Sequence, residues 1–287
     1  MSGDPDVMPS WISDRLAGRD PSRAVGRVLQ ALRVHPRQMS YASTAEAARM
    51  ADVNVATVVR TAQALGLSGW PALRAEVRSR YLAGLSAAQL LREHDGGEGG
   101  SAVASVGREL TNLQDLAELL DDDQVDRVAR LITSARVSLV MGSGSFAAPG
   151  LQLSHLAQTI GYDVRLQLTG GTSLLNAVSL LREGDCLVCF QLWRTPREVH
   201  HAIRVAHAQG VHVVVVSDLL GGPSEEFATE LVVVPSEGSG MFPSLVPTVT
   251  VVQAIIGAVV RVDPARASEA SDRAQCLWDE HRLFSSS

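Results

Sequence analysis

Val213-Val214-Val215-Val216 runs without a single polar alternation. A strand wetted on one face alternates apolar and polar residues, so an unbroken β-branched run marks a strand covered on both faces. Strands are predicted at 137–141, 164–168, 186–191, 211–216 and 231–235, with helical spacing between them. This βαβα order dictates an α/β fold, a five-stranded parallel sheet flanked by helices. In such sheets ligands bind beyond the carboxyl ends of the strands, near the point where strand order reverses. That rule puts Ser143, Gly144 and Ser145, Thr169 to Thr172, Gln191 to Thr195, Ser217-Asp218 and Glu237 on one rim.

The clearest unit covers 136–161. Val137-Ser138-Leu139-Val140-Met141 reads as a strand, Gly142-Ser143-Gly144-Ser145 as a turn, and 146–160 as a helix with Leu151, Leu153, Leu156 and Ile160 at helical spacing. A turn of small residues before a helix presents backbone N–H groups and hydroxyls at the helix N-terminus, which suits an anion. The turn lacks the third glycine of a dinucleotide fingerprint, and the same residues also suit a βα turn that only requires small side chains.

The first third of the chain has a different pattern. Val25, Val28, Leu29 and Leu32 form a helical stripe ending near Pro36. Ser43 or Thr44 caps a short helix over 45–50, Asn54 caps a second over 55–65, and Gly66 stops it. A further helix is predicted at 72–82. Two short helices joined by about three residues make a helix-turn-helix within an all-α domain. In the second, Val55, Val58, Val59, Ala62 and Leu65 are expected to face the core. Asn54, Thr57, Arg60, Thr61 and Ala64 then lie outward, a small polar face with one arginine suited to a major groove. An ordinary solvated face gives the same pattern.

Charge supports the split. Residues 1–90 hold 11 arginines against 7 acidic residues, and the remainder 14 against 24. A basic amino-terminal part on an acidic body suggests a nucleic-acid-binding module joined to something else. All 25 basic residues are arginine, which argues against Schiff-base, pyridoxal-phosphate and Walker-A chemistry. Residues 1–15 carry three aspartates and two prolines and no apolar h-region, so no secretory signal is expected. The cysteines at 186, 189 and 276 give no disulfide framework and fit a reducing cytoplasm. Cys186 and Cys189 lie within one apolar strand and are expected to be core rather than metal ligands.

Thr44-Ala45-Glu46-Ala47-Ala48, Val53-Asn54-Val55-Ala56-Thr57-Val58-Val59-Arg60 and Leu65-Gly66-Leu67-Ser68-Gly69-Trp70 resemble the N-terminal domain of RpiR/MurR-type transcriptional regulators over 20–85. Asn54 stands where that family usually has serine. Met141 to Ser145, Arg197-Glu198-Val199 and Val234-Pro235-Ser236-Glu237 resemble the sugar isomerase (SIS) domain, a flavodoxin-like fold, over about 105–262. The resemblance implies duplex DNA binding through Thr44, Asn54, Thr57, Arg60 and Thr61. It also implies an effector site for a phosphosugar-like anion at Ser143, Gly144, Ser145, Thr169, Arg194, Thr195 and Glu237. Where the family has Ser-x-Ser-Gly-x-Thr after the third strand, this chain has Phe190-Gln191-Leu192-Trp193-Arg194-Thr195-Pro196. There Arg194 is expected to replace the lost donors with a charged fork, and Trp193 to stack on a ring.

These expectations divide the chain into a helix-turn-helix domain at 1–85, a glycine-rich linker at 86–104 and a SIS-type domain at 105–287. They describe a cytoplasmic, homodimeric, ligand-responsive DNA-binding regulator without cofactor or metal. The apolar stretch at 244–262 is expected to contribute to the dimer interface, since prolines and polar residues interrupt it as a membrane span. The alternatives are a sugar-phosphate isomerase-like enzyme, with Glu198, Glu237, His155, His200 or His201 as base, and a constitutive binding module with a vestigial pocket.

Overall fold

The computed structural model describes residues 7–86, 88–90, 101–142, 144–193, 195–220, 222, 224–240 and 242–284. The chain forms two compact units. The first comprises Met1–Leu119, Asp218–Gly221 and Pro235–Ser244; the second comprises Leu120–Ser217, Gly222–Val234 and Leu245–Ser287.

The first unit is helical: α1 (Val7–Leu16), α2 (Arg23–Val34), α3 (Pro36–Tyr41), α4 (Thr44–Met50), α5 (Val55–Ala64), α6 (Trp70–Ala83) and α7 (Ala102–Leu119). Its core gathers Ile12, Leu32, Met39, Val58, Leu65, Trp70, Leu73 and Val77. Trp70 donates its indole N–H to the Ala42 carbonyl at 2.9 Å, so this side chain is buried with its donor paired. Sequence reasoning assigned 105 onward to the sheet domain, but α7 packs with the first unit as far as Leu119. Its Asn112 and Leu116 are buried there, and Asp115 pairs with Arg74 at 3.9 Å. Amphipathicity shows that one face of a helix is covered, not which neighbour covers it. The expected linker falls mostly on 91–100, outside the described residues.

The second unit contains α8 (Asp122–Ser134), β1 (Ser138–Met141), α9 (Ala147–Thr159), β2 (Val164–Gln167), α10 (Gly171–Ser179), β3 (Cys186–Gln191), α11 (Arg197–Ala208), β4 (His212–Ser217), β5 (Glu230–Val233), α12 (Val246–Val262) and α13 (Pro264–Glu280). The sheet is wholly parallel with order β2-β1-β3-β4-β5. Order reverses between β1 and β3, which is the flavodoxin-like switch point. All six residues of β3 are buried, as the apolar run over 186–190 requires of a strand covered on both faces. Cys186 and Cys189 are fully buried within it, and burial pushes the Cys186 thiol up to about 12.

Val251, Val252, Ile255, Ala258 and Val259 of α12 are buried inside the second unit, where the helix packs on α8 and α9. One side of the helix is thus covered by its own chain, while Val246 and Val262 are exposed and Val249, Ile256 and Val260 half-buried on the other. Among the described residues, no single helix is long and apolar enough to cross a membrane.

Candidate functional site

In the first unit the helix-turn-helix is α4 and α5. Ser43 caps α4 through a reciprocal box: its hydroxyl accepts from the Glu46 amide at 3.3 Å, while the Glu46 carboxylate accepts from the Ser43 amide at 2.8 Å. The Ser43 hydroxyl also donates to the Glu46 carboxylate at 2.7 Å, and this bond, with that of the Ser43 amide, holds the Glu46 carboxyl below its usual range. The chain then turns at Asp52, whose φ of +50° is left-handed, and Asp52 pairs with Arg27 at 2.8 Å. Asn54 caps α5 by accepting from the Thr57 amide at 2.8 Å.

The outward face of α5 is not the one the sequence suggested. Thr57 and Thr61 are buried beside Val58 and Ala62, whereas Val55, Ala56, Arg60 and Gln63 are exposed and Val59 is half-exposed. The wheel is rotated because both threonine hydroxyls find partners indoors. Thr57 donates to Asn54 Oδ1 and Thr61 to the Thr57 carbonyl, each at 2.8 Å. A paired hydroxyl is cheap to bury, so threonine packs here like valine. Arg60 stays outside and donates to Thr57 Oγ1 at 2.9 Å, while Thr44 is half-buried at the first turn of α4. Val55, Ala56 and Gln63, absent from the expected contact set, complete a face with methyl groups, one amide and one guanidinium. These are groups that read thymine methyls, adenine and guanine edges.

In the second unit the switch point lies at the carboxyl ends of β1 and β3. A side chain at Gly142 would come within 2.5 Å of the Phe146 carbonyl oxygen, so only glycine lets the chain turn back so closely onto α9. Gly144, with φ of +59°, and Ser145 are exposed in the short turn that follows. Phe146 at the N-cap of α9 has no side-chain acceptor, which leaves the amides of the first turn facing outward. Ser143 and Arg194 lie outside the described residues.

Beyond β3, Gln191 is 6% exposed and its Nε2 donor has no hydrogen-bond partner. It lines a narrow cleft with Met141, Gly142, Phe190, Thr195 and Val199 that has about 10 Å³ of free volume. That is room for about one water, far below the several hundred Å³ of a metabolite pocket. Trp193 in the same loop has φ of +62°, a conformation that costs a bulky residue of order 1–3 kcal/mol and is typical of functional loops. Gln191 was legible only as a rim position; no spacing signal shows an unpaired buried donor.

Thr169 is exposed and accepts from Gln167 Nε2 at 2.8 Å. Glu198 accepts from the Gly171 amide at 2.8 Å, thereby occupying the N-terminus of α10. His200 pairs with the Ser224 hydroxyl at 2.8 Å, and burial lowers its pKa. His155 is exposed. Glu237 belongs to the first unit, where Arg78 lies 2.8 Å and Arg108 3.2 Å from its carboxylate. The expected ligand residues are thus divided: Gly144, Ser145 and Thr195 belong to the switch point of the second unit, while Glu237 is held by arginines of the first.

Comparison with known proteins agrees with this architecture. Residues 23–84 match the family model for the helix-turn-helix domain of the rpiR family. Among solved structures, the sugar isomerase domain of an RpiR transcription factor from Sphaerobacter thermophilus is 22% identical, covers 60% of this chain and 97% of its own, and superposes with a TM-score of 0.58. The NanR protein of Vibrio vulnificus, complexed with ManNAc-6P, is 20% identical, covers 96% of this chain and 100% of its own, and gives a TM-score of 0.59. The first unit thus carries an rpiR-family helix-turn-helix, and the second has the fold of the sugar isomerase domain.

Proposed function

We propose that this chain is a cytoplasmic DNA-binding regulator whose second unit senses a phosphosugar or related anionic metabolite. One observation carries the reading: an exposed recognition-helix face and an uncapped helix N-terminus at a sheet switch point occur in the same chain. Val55, Ala56, Arg60 and Gln63 on α5 enter the major groove, and a homodimer presents two such helices to a two-fold operator. The phosphate sits on the turn after β1, against the amides of α9 and the hydroxyl of Ser145, with Thr169 and Thr195 beside it. Ser143 and Arg194 remain proposed ligands of the same anion. Gln191 supplies an amide donor to a sugar hydroxyl, which gives its unpaired Nε2 a partner. The similar NanR protein of Vibrio vulnificus, complexed with ManNAc-6P, supports the choice of ligand class.

Binding must open the narrow cleft, and a ligand that binds the open and closed states unequally shifts operator affinity. The isomerase alternative requires a carboxylate or imidazole poised over the sugar. Glu198 is engaged by the Gly171 amide, His200 by Ser224 and Glu237 by two arginines, which favours sensing over turnover. The test is a mobility-shift titration on the gene's own upstream DNA, with and without N-acetylmannosamine 6-phosphate, glucose 6-phosphate and the unphosphorylated sugars. Retardation relieved or enhanced by a phosphosugar and not by its parent sugar supports the reading. Steady turnover of a sugar phosphate would replace it with the enzyme.

A further inference from the structure

The carboxyl ends of β4 and β5 lead into segments 218–221 and 235–244, and both segments pack as parts of the first unit. Each is held through a buried charge. The Glu237 carboxylate, 4% exposed, takes Arg78 Nη1 at 2.8 Å, Arg108 Nη1 at 3.2 Å and the Tyr41 hydroxyl at 3.2 Å. Arg78 in turn donates to the Ser40 carbonyl at 3.1 Å and lies 4.9 Å from the centre of the Tyr41 ring. From α7, Asn112 donates to the Glu237 carbonyl at 2.8 Å, and Glu109 accepts from Ser244 at 2.6 Å.

The other segment is held in the same manner. The Leu220 amide donates to Glu76 at 2.8 Å, and the Leu220 carbonyl accepts from Arg80. Glu76 and Arg80 form an ion pair at 2.7 Å, and Arg80 stacks 4.5 Å over the Trp11 ring. Ser236 donates to Asp218 at 2.6 Å and so ties the two segments together. Glu76, Arg78 and Arg80 all belong to α6, the helix whose Trp70, Leu73 and Val77 close the core behind α5.

A buried charge that loses its partner is strongly destabilising, so a strap fixed this way has discrete positions rather than a continuum. We propose that α6 is the transmission element of the molecule: segments 218–221 and 235–244 are straps through which a change at the ends of β4 and β5 is delivered to the helix-turn-helix core. The inference rests on the regulatory reading and names its route. Moving 235–244 withdraws one carboxylate from two arginines, and α6 must re-pair or shift.

The test uses the full chain with Glu237→Gln, Arg78→Gln and the milder Tyr41→Phe, which removes one hydroxyl and keeps the ring. Amide hydrogen exchange is followed in 235–244 and in α6, and affinity for the upstream DNA fragment is measured by fluorescence anisotropy. Expected are exchange rates raised together in both segments by about threefold or more. DNA affinity should change by about fivefold or more in Glu237→Gln and Arg78→Gln, and their double variant should add little to either single one. Faster exchange confined to 235–244 with α6 unchanged would overturn the proposal, as would unchanged DNA affinity in variants of a wild type that binds. If the wild type binds no DNA, the regulatory reading fails by itself, and the exchange arm still decides whether strap and helix move together.

Discussion

Arg60 reaches back three residues along α5 and donates to Thr57 Oγ1 at 2.9 Å, while Thr57 donates to Asn54 Oδ1. The cap, a buried threonine and an exposed guanidinium therefore form one chain of hydrogen bonds. Such a chain restrains Arg60 before DNA arrives, which lowers the ordering cost of a base contact. Arg60→Ala is expected to weaken operator binding by about 1–3 kcal/mol if the guanidinium meets a guanine edge. Thr57→Val should retain the core and lose part of that affinity. Titrations at two salt concentrations separate a base contact from a phosphate contact, since only the latter lowers the salt slope.

Glu76 predicts a pH dependence of stability. Burial pushes its carboxyl up from 4.5 to about 7, against the opposing attraction of Arg80 and the Leu220 amide. A raised carboxyl binds its proton more tightly in the folded chain. The resulting stabilisation is complete below about pH 4.5 and is lost as pH rises through 7. The swing is roughly 3 kcal/mol. Urea unfolding of wild type and Glu76→Gln at a series of pH values should show a steeper loss in the wild type between pH 5 and 8. Parallel profiles would remove Glu76 as the source.

Gln191 should trade stability for binding. Gln191→Leu removes an unpaired buried donor and is expected to stabilise the fold by about 1 kcal/mol. The same change should cost the effector tenfold or more in affinity, on the order of 1.4 kcal/mol or above. Thermal unfolding and calorimetry with a phosphosugar give the two numbers. A variant that is less stable and binds equally well would show that the amide serves the fold alone.

Gly142→Ala places a methyl group against the Phe146 carbonyl and the start of α9. Overpacking of this kind costs about 1–3 kcal/mol. Because the strain falls on the turn proposed to hold the anion, phosphosugar affinity should fall more steeply than stability. Equal losses would make the glycine a packing residue only.

What the sequence made legible follows from period and run length. Val213 to Val216 and the buried β3 announce strands covered on both faces, and the alternation with helices makes the sheet parallel. The helix-turn-helix was readable from its caps, since Ser43-x-x-Glu46 and Asn54 act locally. The rotation of α5 was not, because burying Thr57 and Thr61 depends on partners that hydrophobicity does not register. Glu237 was assigned to the ligand by its place after β5, but strand order says nothing about which helices receive the segment that follows. For a related reason an apolar helix such as α12 declares that it is covered but not by what, and α8 and α9 of its own chain cover one side of it.

The distribution of thiols has a practical consequence. Cys186 and Cys189 are sealed inside β3 and held as protonated thiols, whereas Cys276 on α13 is exposed. A soluble alkylating dye therefore has one address in the native chain and gains two more only when the central strand is laid bare. Counting modified sulfurs by mass turns the unaltered protein into its own unfolding gauge. The Cys276 label can be read by energy transfer between chains in the same experiment.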